Sequence, residues 1–199
     1  IEPLRQFYQP AVALDVGCGR GEWLELLQEA GFRPQGVDLD EGMLQACIDR
    51  GLPVLRRDGI EHLQSLDDES QSIVSGFHVA EHISFNDLNV LVVQALRVLK
   101  PGGLLILETP NPENLVVGSN NFYLDPSHIR PIPPLLLSFI PEYHGFAKVR
   151  IIRLQEAAEL RGLGGVRLMD VLGGASPDYA VVAQKGAPAV FSEQFDVAF

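Results

Sequence analysis

Short apolar runs alternate along the first half of the chain with longer stretches in which apolar residues recur every three or four positions. The short runs predict buried strands, at residues 12–16, 35–39, 52–56, 72–77 and 104–108. The longer stretches predict helices, at residues 22–30, 41–50 and 86–99. Strands that alternate with helices favour a parallel sheet with right-handed crossover connections.

The pattern changes after Thr109. Residues 110–134 are rich in proline and have neither a helical nor a strand period, which predicts a long connection of the kind that often serves a function. A helix at 133–139 and strands at 148–154 and 179–184 follow, while residues 155–174 fit either a helix or a loop. We therefore predict an α/β fold with a doubly wound, Rossmann-like, seven-stranded, mostly parallel sheet and helices on both faces. One domain would occupy residues 1–186, and residues 187–199 would form a C-terminal tail or linker.

Composition and charge limit the classes of partner that the chain is expected to bind. The formal net charge at pH 7 is -11 and the basic residues form no cluster beyond Arg56–Arg57, so nucleic acids and anionic membrane surfaces are not expected to bind. No apolar run reaches the length of a membrane span. Cys18 and Cys47 lack metal-ligand spacing, which favours a reduced, cytoplasmic protein. Because the chain begins at Ile1 rather than Met, fusion to or association with other domains is left open.

The densest chemical motif is the turn after the first strand, L-D-V-G-C-G-R-G at residues 14–21. Glycines let the backbone adopt positive φ and approach a ligand, and the next helix offers free N–H groups to a carboxylate or phosphate. A nicotinamide-dependent dehydrogenase would show G-x-G-x-x-G and an acidic residue about 20 positions later. Asp38 meets the second requirement, but Gly21 comes one position too early for the first. Asp38 predicts a ribose-binding carboxylate under either interpretation.

Four blocks in this order resemble class I S-adenosyl-L-methionine (SAM)-dependent methyltransferases. Residues 14–21 are similar to the first motif of that family, residues 36–38 to its ribose motif, Asp58 to its adenine-binding acidic residue, and residues 96–103 to the helix and turn before its fifth strand. The resemblance implies SAM as the cofactor, with Gly17 and Gly19 facing the methionine moiety. The cofactor-binding residues that it implies are Asp15, Gly17, Cys18, Gly19, Asp38, Leu39, Asp58, Gly59, Phe77 and His78.

A second resemblance is to methyltransferases of bacterial surface-polysaccharide and O-antigen biosynthesis. It is carried by F-H-V-A-E-H at 77–82, E-T-P-N-P-E-N at 108–114 and F-Y-L-D-P-S-H-I-R-P at 122–131, and it implies a sugar acceptor. The resulting expectation is SAM-dependent O-methylation of a small-molecule or glycan hydroxyl. The alternatives are a non-catalytic SAM-binding module of a larger assembly and a dehydrogenase.

The histidines supply the expected acid–base chemistry. His128, in the long connection, is the expected general base, Asp125 the residue that orients it, and His82 a further catalytic residue. Tyr123 and Arg130 are expected to contact the acceptor. The H-x-x-E-H pattern at 78–82 also resembles an inverted zinc-protease motif, but its place at a strand exit favours cleft-lining and loop-fixing roles. No metal is expected in the site, and a divalent ion at Glu81 and His82 is left open.

Overall fold

The computed structural model describes residues 1–161 and 164–187, together with residues 189, 193, 195 and 196. The strands are β1 (Val12–Val16), β2 (Arg33–Asp38), β3 (Val54–Arg56), β4 (Gln71–Phe77), β5 (Leu99–Pro110), β6 (Lys148–Leu154) and β7 (Asp178–Gln184). The helices are α1 (Glu2–Phe7), α2 (Glu22–Glu29), α3 (Glu41–Asp49), α4 (Gly59–Ser65), α5 (Phe85–Val98), α6 (Leu115–Ser119), α7 (Pro134–His144) and α8 (Leu168–Gly174). Short 3-10 helices occur at Ala80–His82, Asn121–Leu124 and Ala158–Arg161.

The seven strands form one sheet in the order β3-β2-β1-β4-β5-β7-β6. Strands β1 to β5 are parallel, and β7 is antiparallel to both β5 and β6. This confirms the predicted Rossmann-like, mostly parallel sheet. The strand order reverses between β1 and β4, and in such sheets ligands bind at the carboxyl ends of the strands beside that reversal.

Helices cover both faces of the sheet. Successive strand residues point to opposite faces, so Leu14 and Val74 belong to a core cluster with α4, α5 and α7, whereas Ala13 and Ile73 belong to a cluster with α1 and α2. Burial on both faces explains why β1 and β4 contain continuous apolar runs instead of alternating ones.

Side-chain caps fix where three helices begin at the ligand-binding edge or near it. Asp40 caps α3 by accepting a hydrogen bond from the Met43 amide, and Asp58 caps α4. Ser84 caps α5 by accepting from the Asp87 amide. Such caps satisfy amides that have no partner inside the helix.

Strand β5 begins earlier than predicted, since it includes the glycine-rich segment 100–103 that sequence analysis placed in a turn. Gly102 has a φ of 78°, and its amide donates to the Lys185 carbonyl, while the Lys185 amide donates to the Gly103 carbonyl. The segment therefore pairs with the end of β7, a partner 80 positions away that local sequence does not reveal.

The long connection after β5 contains α6 and the 3-10 helix Asn121–Leu124, neither of which was predicted. Both of its ends are fixed to the sheet. The Asn111 amide donates to the Pro177 carbonyl at 2.8 Å, and the hydroxyl of the fully buried Tyr179 donates to the Ile132 carbonyl at 2.7 Å. The connection is thus a folded segment whose two ends are both attached to the sheet or its immediate flank.

Helix α7 continues past its predicted end at residue 139 and contains Pro141. Its buried residues Leu137 and Ile140 pack in the main core cluster, and Gly145, with a φ of 101°, ends the helix. Packing of the apolar side therefore outweighs the proline.

Parts of the predicted C-terminal tail, 187–199, lie outside the described residues. Of those described, Phe195 is buried in the cluster that includes α1 and α2, and Asp196 pairs with Lys148 and Arg150 on β6. Among the helices of the described ranges, none has the length and apolar character to cross a membrane. His62 is buried in α4, with Nε2 3.0 Å from the Gln35 side-chain oxygen.

Candidate functional site

The glycine-rich turn after β1 is held against the end of β2. The amides of Gly17 and Cys18 both donate to the Val37 carbonyl, at 2.8 and 3.1 Å. Gly17 and Gly19 have φ values of 67° and 53°, in the left-handed region that favours glycine. A Cβ on Gly17 would lie 2.5 Å from Val79 Cγ2, whereas a Cβ on Gly19 would have no described atom within 4 Å. Packing therefore requires glycine at position 17, while Gly19 borders open space that a ligand can occupy.

Asp38 lies at the end of β2, as predicted. Its Oδ2 accepts a hydrogen bond from the Gly19 amide and its Oδ1 accepts one from the Asp40 amide, both at 2.9 Å. A carboxylate has about four lone-pair sites, so each oxygen can accept a further bond from a ligand hydroxyl. The neighbouring Leu39 side chain is 61% exposed at the edge of the same space.

Asp58 and Gly59 form the start of α4. Oδ1 of Asp58 accepts from the amides of Ile60 and Glu61 at 2.9 Å, and Oδ2 has no hydrogen-bond partner in the described ranges. A Cβ on Gly59 would lie 2.2 Å from Val16 Cγ1, so glycine allows α4 to approach β1. The arrangement leaves one carboxylate oxygen available to a ligand.

These residues surround a first cavity of about 170 Å³. Predicted site residues on its wall are Gly17, Asp38, Leu39, Asp58 and Gly59. The others, which sequence analysis did not name as site residues, are Val16, Val37, Arg57, Ile60, Val79, Ile83 and Leu91. A mainly apolar wall with a few polar groups is usual for a small-molecule or cofactor site.

A second cavity, of about 320 Å³, lies on the other side of Gly17, which borders both. Its wall consists of Asp15, Gly17, Cys18, Gly19, Glu22, Trp23, Leu26 and Phe77. The Phe77 and Trp23 rings pack with their centroids 5.3 Å apart. The structure thus groups the predicted residues of the glycine turn with Phe77, and adds Glu22 and Trp23.

Asp15 is a buried carboxyl group on the wall of the second cavity, with 2% of its surface exposed. Its Oδ1 accepts from the Ser75 hydroxyl at 2.7 Å, and the Trp23 indole N–H donates to the same hydroxyl at 3.0 Å. Burial raises the pKa of Asp15 to about 7, and the bond from Ser75 opposes the rise only in part. Asp15 therefore titrates near neutral pH.

We expect Asp15→Asn to stabilise the protein more at pH 8 than at pH 5. Because the pKa is raised to about 7, the folded chain keeps a proton that the unfolded chain loses near an ordinary pKa of about 4, and the contribution of Asp15 to stability falls as the pH rises through 7. Asparagine is neutral at both pH values and can still accept from Ser75. Urea unfolding should show the gain over wild type growing by roughly 2 kcal/mol between the two pH values.

The matched control is Asp67→Asn, which makes the same replacement at an exposed aspartate instead of a buried one. A gain for Asp15→Asn that is equal at pH 5 and pH 8 would contradict the raised pKa.

His78 follows β4 with a φ of 54°, which is uncommon for a residue with a side chain. Its Nδ1 lies 3.0 Å from Oε1 of the fully buried Glu81, and its Nε2 lies 3.7 Å from Oε1 of Glu108. The hydrogen bond with Glu81 raises the pKa of His78 against the effect of burial. His78 was expected to line the cofactor cleft, but it is not on the wall of either cavity above, because its side chain turns towards these two carboxylates.

Sequence analysis did not name Glu108 or Asp178 as site residues, but both stand beside His78 where β4, β5 and β7 meet. Burial raises the pKa of both carboxyl groups. The only hint in the sequence is that each acidic residue adjoins a strand end.

A third cavity, of about 220 Å³, lies beneath the long connection and is bordered by Pro110, Val117, Asn121, Phe122, His128, Pro177 and Asp178. Nδ1 of His128 is 2.6 Å from the Phe122 carbonyl oxygen. A carbonyl can only accept, so Nδ1 carries a hydrogen, and in the neutral imidazole Nε2 carries the lone pair. His128 is therefore present in the tautomer that a general base on this cavity needs.

Asp125 does not orient His128, contrary to expectation. Its Oδ2 lies 3.9 Å from Nε2 of His128, which is too far for a hydrogen bond. Oδ1 of Asp125 instead accepts from the amide and hydroxyl of Ser127, and the Ser127 hydroxyl oxygen lies 3.0 Å from Nδ1 of His82. Asp125 thus acts on His82 through Ser127, and the Phe122 carbonyl orients His128.

The H-x-x-E-H segment does not form a zinc-protease helix. His82 ends the 3-10 helix Ala80–His82, and the His78 and His82 side chains turn to different partners. The two residues expected to contact the acceptor are outside the third cavity: Tyr123 is 63% exposed, and the Arg130 guanidinium lies 4.7 Å from the centre of the Phe85 ring.

Comparison with known proteins gives consistent similarities. The family described as a methyltransferase domain matches residues 14–107. A probable SAM-dependent methyltransferase from Mycolicibacterium smegmatis is 32% identical over 133 residues, which are 67% of this chain and 51% of that protein. A ubiquinone biosynthesis O-methyltransferase from Maricaulis maris is 32% identical over 103 residues, which are 49% of this chain and 40% of that protein. The chain thus spans about half the length of the first of these curated relatives and two fifths of the second.

A solved structure matches over nearly its whole length. The crystal structure of a SAM-dependent methyltransferase from Archaeoglobus fulgidus has a TM-score of 0.78 and 34% sequence identity to this chain. The match covers 92% of this chain and 91% of that one.

Proposed function

Because this chain belongs to the SAM-dependent methyltransferases, we propose that it methylates a hydroxyl group of a small molecule or a glycan. The observation that carries the proposal is the tautomer of His128, in which Nε2 carries the lone pair. His128 lies on the wall of the third cavity. A hydroxyl must lose its proton when it is methylated, and a neutral imidazole nitrogen is the common acceptor for such a proton.

The first and second cavities fit the parts of SAM. They meet at Gly17, where a side chain would collide with Val79, and they offer carboxylates at both ends. In our proposal Asp38 accepts from the ribose hydroxyls, Oδ2 of Asp58 accepts from the adenine amino group, and the amides near Gly19 face the methionine moiety. Asp15 would lie near the methionine ammonium, a charge that favours its ionised form.

Bound SAM supplies a methyl group that its sulfonium has already activated. The residues of the chain then need to position the acceptor hydroxyl, exclude water and take up one proton. Nε2 of His128 would accept that proton, and the Phe122 carbonyl would stabilise the resulting imidazolium through Nδ1–H. Val117 and Phe122 provide apolar walls on which the acceptor can rest.

The proposed acceptor class follows from the sequence motifs and from the charge of the chain. The resemblance to surface-polysaccharide methyltransferases favours a sugar hydroxyl, and the net charge of -11 disfavours nucleic acid. Both cysteines are free and buried, which agrees with our proposal of a reduced, cytoplasmic setting. Membership of the SAM-dependent methyltransferases excludes the dehydrogenase alternative. A measurement of methyl-transfer turnover would distinguish an enzyme from a SAM-binding module without catalysis.

We expect calorimetry to show binding of SAM and S-adenosylhomocysteine with dissociation constants on the order of 1 μM to 1 mM, and no binding of NAD. The reason is that the G-x-G-x-G turn and Asp38 form a cavity suited to one ribose and an amino acid. Mass spectrometry of reactions with panels of hydroxyl compounds, sugars and tRNA should then find a product heavier by one methyl group in the first two panels. Heat from NAD without heat from SAM, or methylation confined to tRNA, would contradict the proposal.

A further inference from the structure

Two histidines and a buried carboxylate from distant parts of the chain converge beside the third cavity. The rings of His82 and His128 have centroids 4.7 Å apart, and ligand atoms of Glu81, His82 and His128 all lie within 4.8 Å of one another. The Ile129 amide donates to the Glu81 carbonyl at 2.8 Å, which holds the long connection against the exit of β4. Their convergence is therefore fixed by the backbone.

The hydrogen bonds around both histidines place a ring hydrogen on Nδ1, which leaves Nε2 of each neutral ring without a hydrogen. The hydrogen on Nδ1 of His128 goes to the Phe122 carbonyl. The Ser127 hydroxyl donates to Asp125, so the same hydroxyl oxygen must accept its second bond from Nδ1–H of His82. Both imidazoles consequently carry a lone pair on Nε2. Metal-binding histidines show this pattern, with an oxygen acceptor on the nitrogen that does not bind the metal.

Glu81 provides a carboxyl group that is shielded from bulk solvent, since its surface is 0% exposed. Its Oε1 bonds with Nδ1 of His78 and its Oε2 accepts from the Thr109 hydroxyl at 2.9 Å, and each oxygen keeps a further lone pair. A buried carboxylate is costly unless cations or donors offset its lost hydration. A metal ion would add that compensation and satisfy the two bare imidazole nitrogens together.

We propose that Glu81, His82 and His128 bind a divalent transition-metal ion, with Zn²⁺ or Co²⁺ as the fitting chemistry. Two imidazoles and one carboxylate suit these ions better than Mg²⁺ or Ca²⁺, which prefer oxygen ligands only. Three protein ligands leave one position of a tetrahedral ion open, as in catalytic zinc sites. Sequence analysis expected no metal and left open an ion at Glu81 and His82, because His128 is 46 positions beyond His82 and no local spacing connects them.

The part of the ion in the reaction rests on the proposed function. His128 borders the cavity in which we place the acceptor, so the ion would stand at its wall. An acceptor hydroxyl bound at the open position would have a lowered pKa and release its proton to water. The ion would then replace His128 as the activating group, whereas in the ion-free protein Nε2 of His128 accepts the proton itself.

The test is a metal titration of the full chain after treatment with a chelator. Zn²⁺ measured against a chromophoric chelator, and the visible absorption of bound Co²⁺, should show one ion per chain. His82→Ala and His128→Ala should each weaken binding by more than the roughly 10–100-fold that loss of an outer-shell partner costs, and Ser127→Ala should weaken it within that range.

Two matched controls should keep the ion. His144→Ala removes a histidine that bonds with Asn89 instead of the proposed ion. Asp178→Asn alters the neighbouring group of His78, Glu108 and Asp178, which could also gather around a metal. Circular dichroism and S-adenosylhomocysteine binding should confirm that every variant is folded.

The absence of stoichiometric binding, or binding that survives both His82→Ala and His128→Ala, would overturn the site. Loss confined to Asp178→Asn would overturn it equally, since the ion would then belong to the neighbouring group. If the ion binds as described but no hydroxyl is methylated, the site stands and the proposed function fails. If the chelated protein methylates a hydroxyl at the full rate, the proposed function stands and the ion has no part in it.

Discussion

His128→Ala is expected to lower the turnover of the methyltransferase by about 10²–10⁴-fold while SAM affinity is nearly unchanged. The bond from Nδ1 to the Phe122 carbonyl leaves Nε2 of His128 without a hydrogen. His128 is also not on the wall of the first or second cavity. Loss of the His128 side chain should therefore slow removal of the acceptor proton and leave cofactor binding nearly unchanged. Turnover measured by release of S-adenosylhomocysteine, together with calorimetry of SAM, separates the two effects.

The pH dependence provides a further check on this role. The loss caused by His128→Ala should shrink as the pH rises, because an acceptor hydroxyl that ionises without help needs no base. Asp125→Ala is the informative comparison: the Asp125 carboxylate makes no hydrogen bond to the His128 ring and contacts His82 only through Ser127, so its effect on turnover should be smaller. Normal turnover in His128→Ala would leave His128 as a packing residue and transfer the proposed base to His82.

Asp38→Ala is expected to weaken SAM binding by roughly 10²–10⁴-fold, since two charge-assisted hydrogen bonds to ribose hydroxyls contribute about 1.5–3 kcal/mol each. The same substitution removes the acceptor of the Gly19 amide, which helps to fix the glycine turn. Calorimetry with SAM or S-adenosylhomocysteine gives the dissociation constant, and circular dichroism verifies the fold.

Two further variants separate the carboxylate from its surroundings. Asp38→Asn keeps one acceptor oxygen and should lose less affinity than Asp38→Ala. Asp40→Ala removes the cap of α3 beside the site, which should cost about 1 kcal/mol of stability and leave SAM binding almost intact. An unchanged dissociation constant in a folded Asp38→Ala protein would show that this carboxylate does not hold the ribose.

The half of the site that binds the cofactor could be predicted because its determinants are local. A buried strand leads into a glycine turn within residues 12–21, and an acidic residue ends a strand within residues 35–38. Parallel strands place all such ends at one edge of the sheet, so the grouping of Gly17, Asp38 and Asp58 followed from the order of the elements.

The acceptor half depends on contacts between distant segments. The partner that sets the tautomer of His128 is a main-chain carbonyl, which any residue at position 122 would provide. Glu108 and Asp178 become neighbours only because β7 runs antiparallel to β5, a pairing with no local pattern. The His78 side chain points away from the cofactor cleft because its backbone is left-handed and because its partner Glu81 is buried. Neither feature is visible in the sequence.

The attachment of the long connection at both ends has a consequence for how such enzymes diversify and can be redesigned. Asn111 is bonded to the Pro177 carbonyl, and the Ile132 carbonyl is bonded to Tyr179, so both anchor points belong to the sheet and its immediate flank. We expect the residues between them to tolerate exchange: grafted segments of different length or polarity should leave strand packing and the cofactor loop in place if they keep the buried Phe122 and the bond from the Ile129 amide to the Glu81 carbonyl. Libraries confined to residues 112–131 would therefore explore new acceptors on a constant cofactor-binding platform.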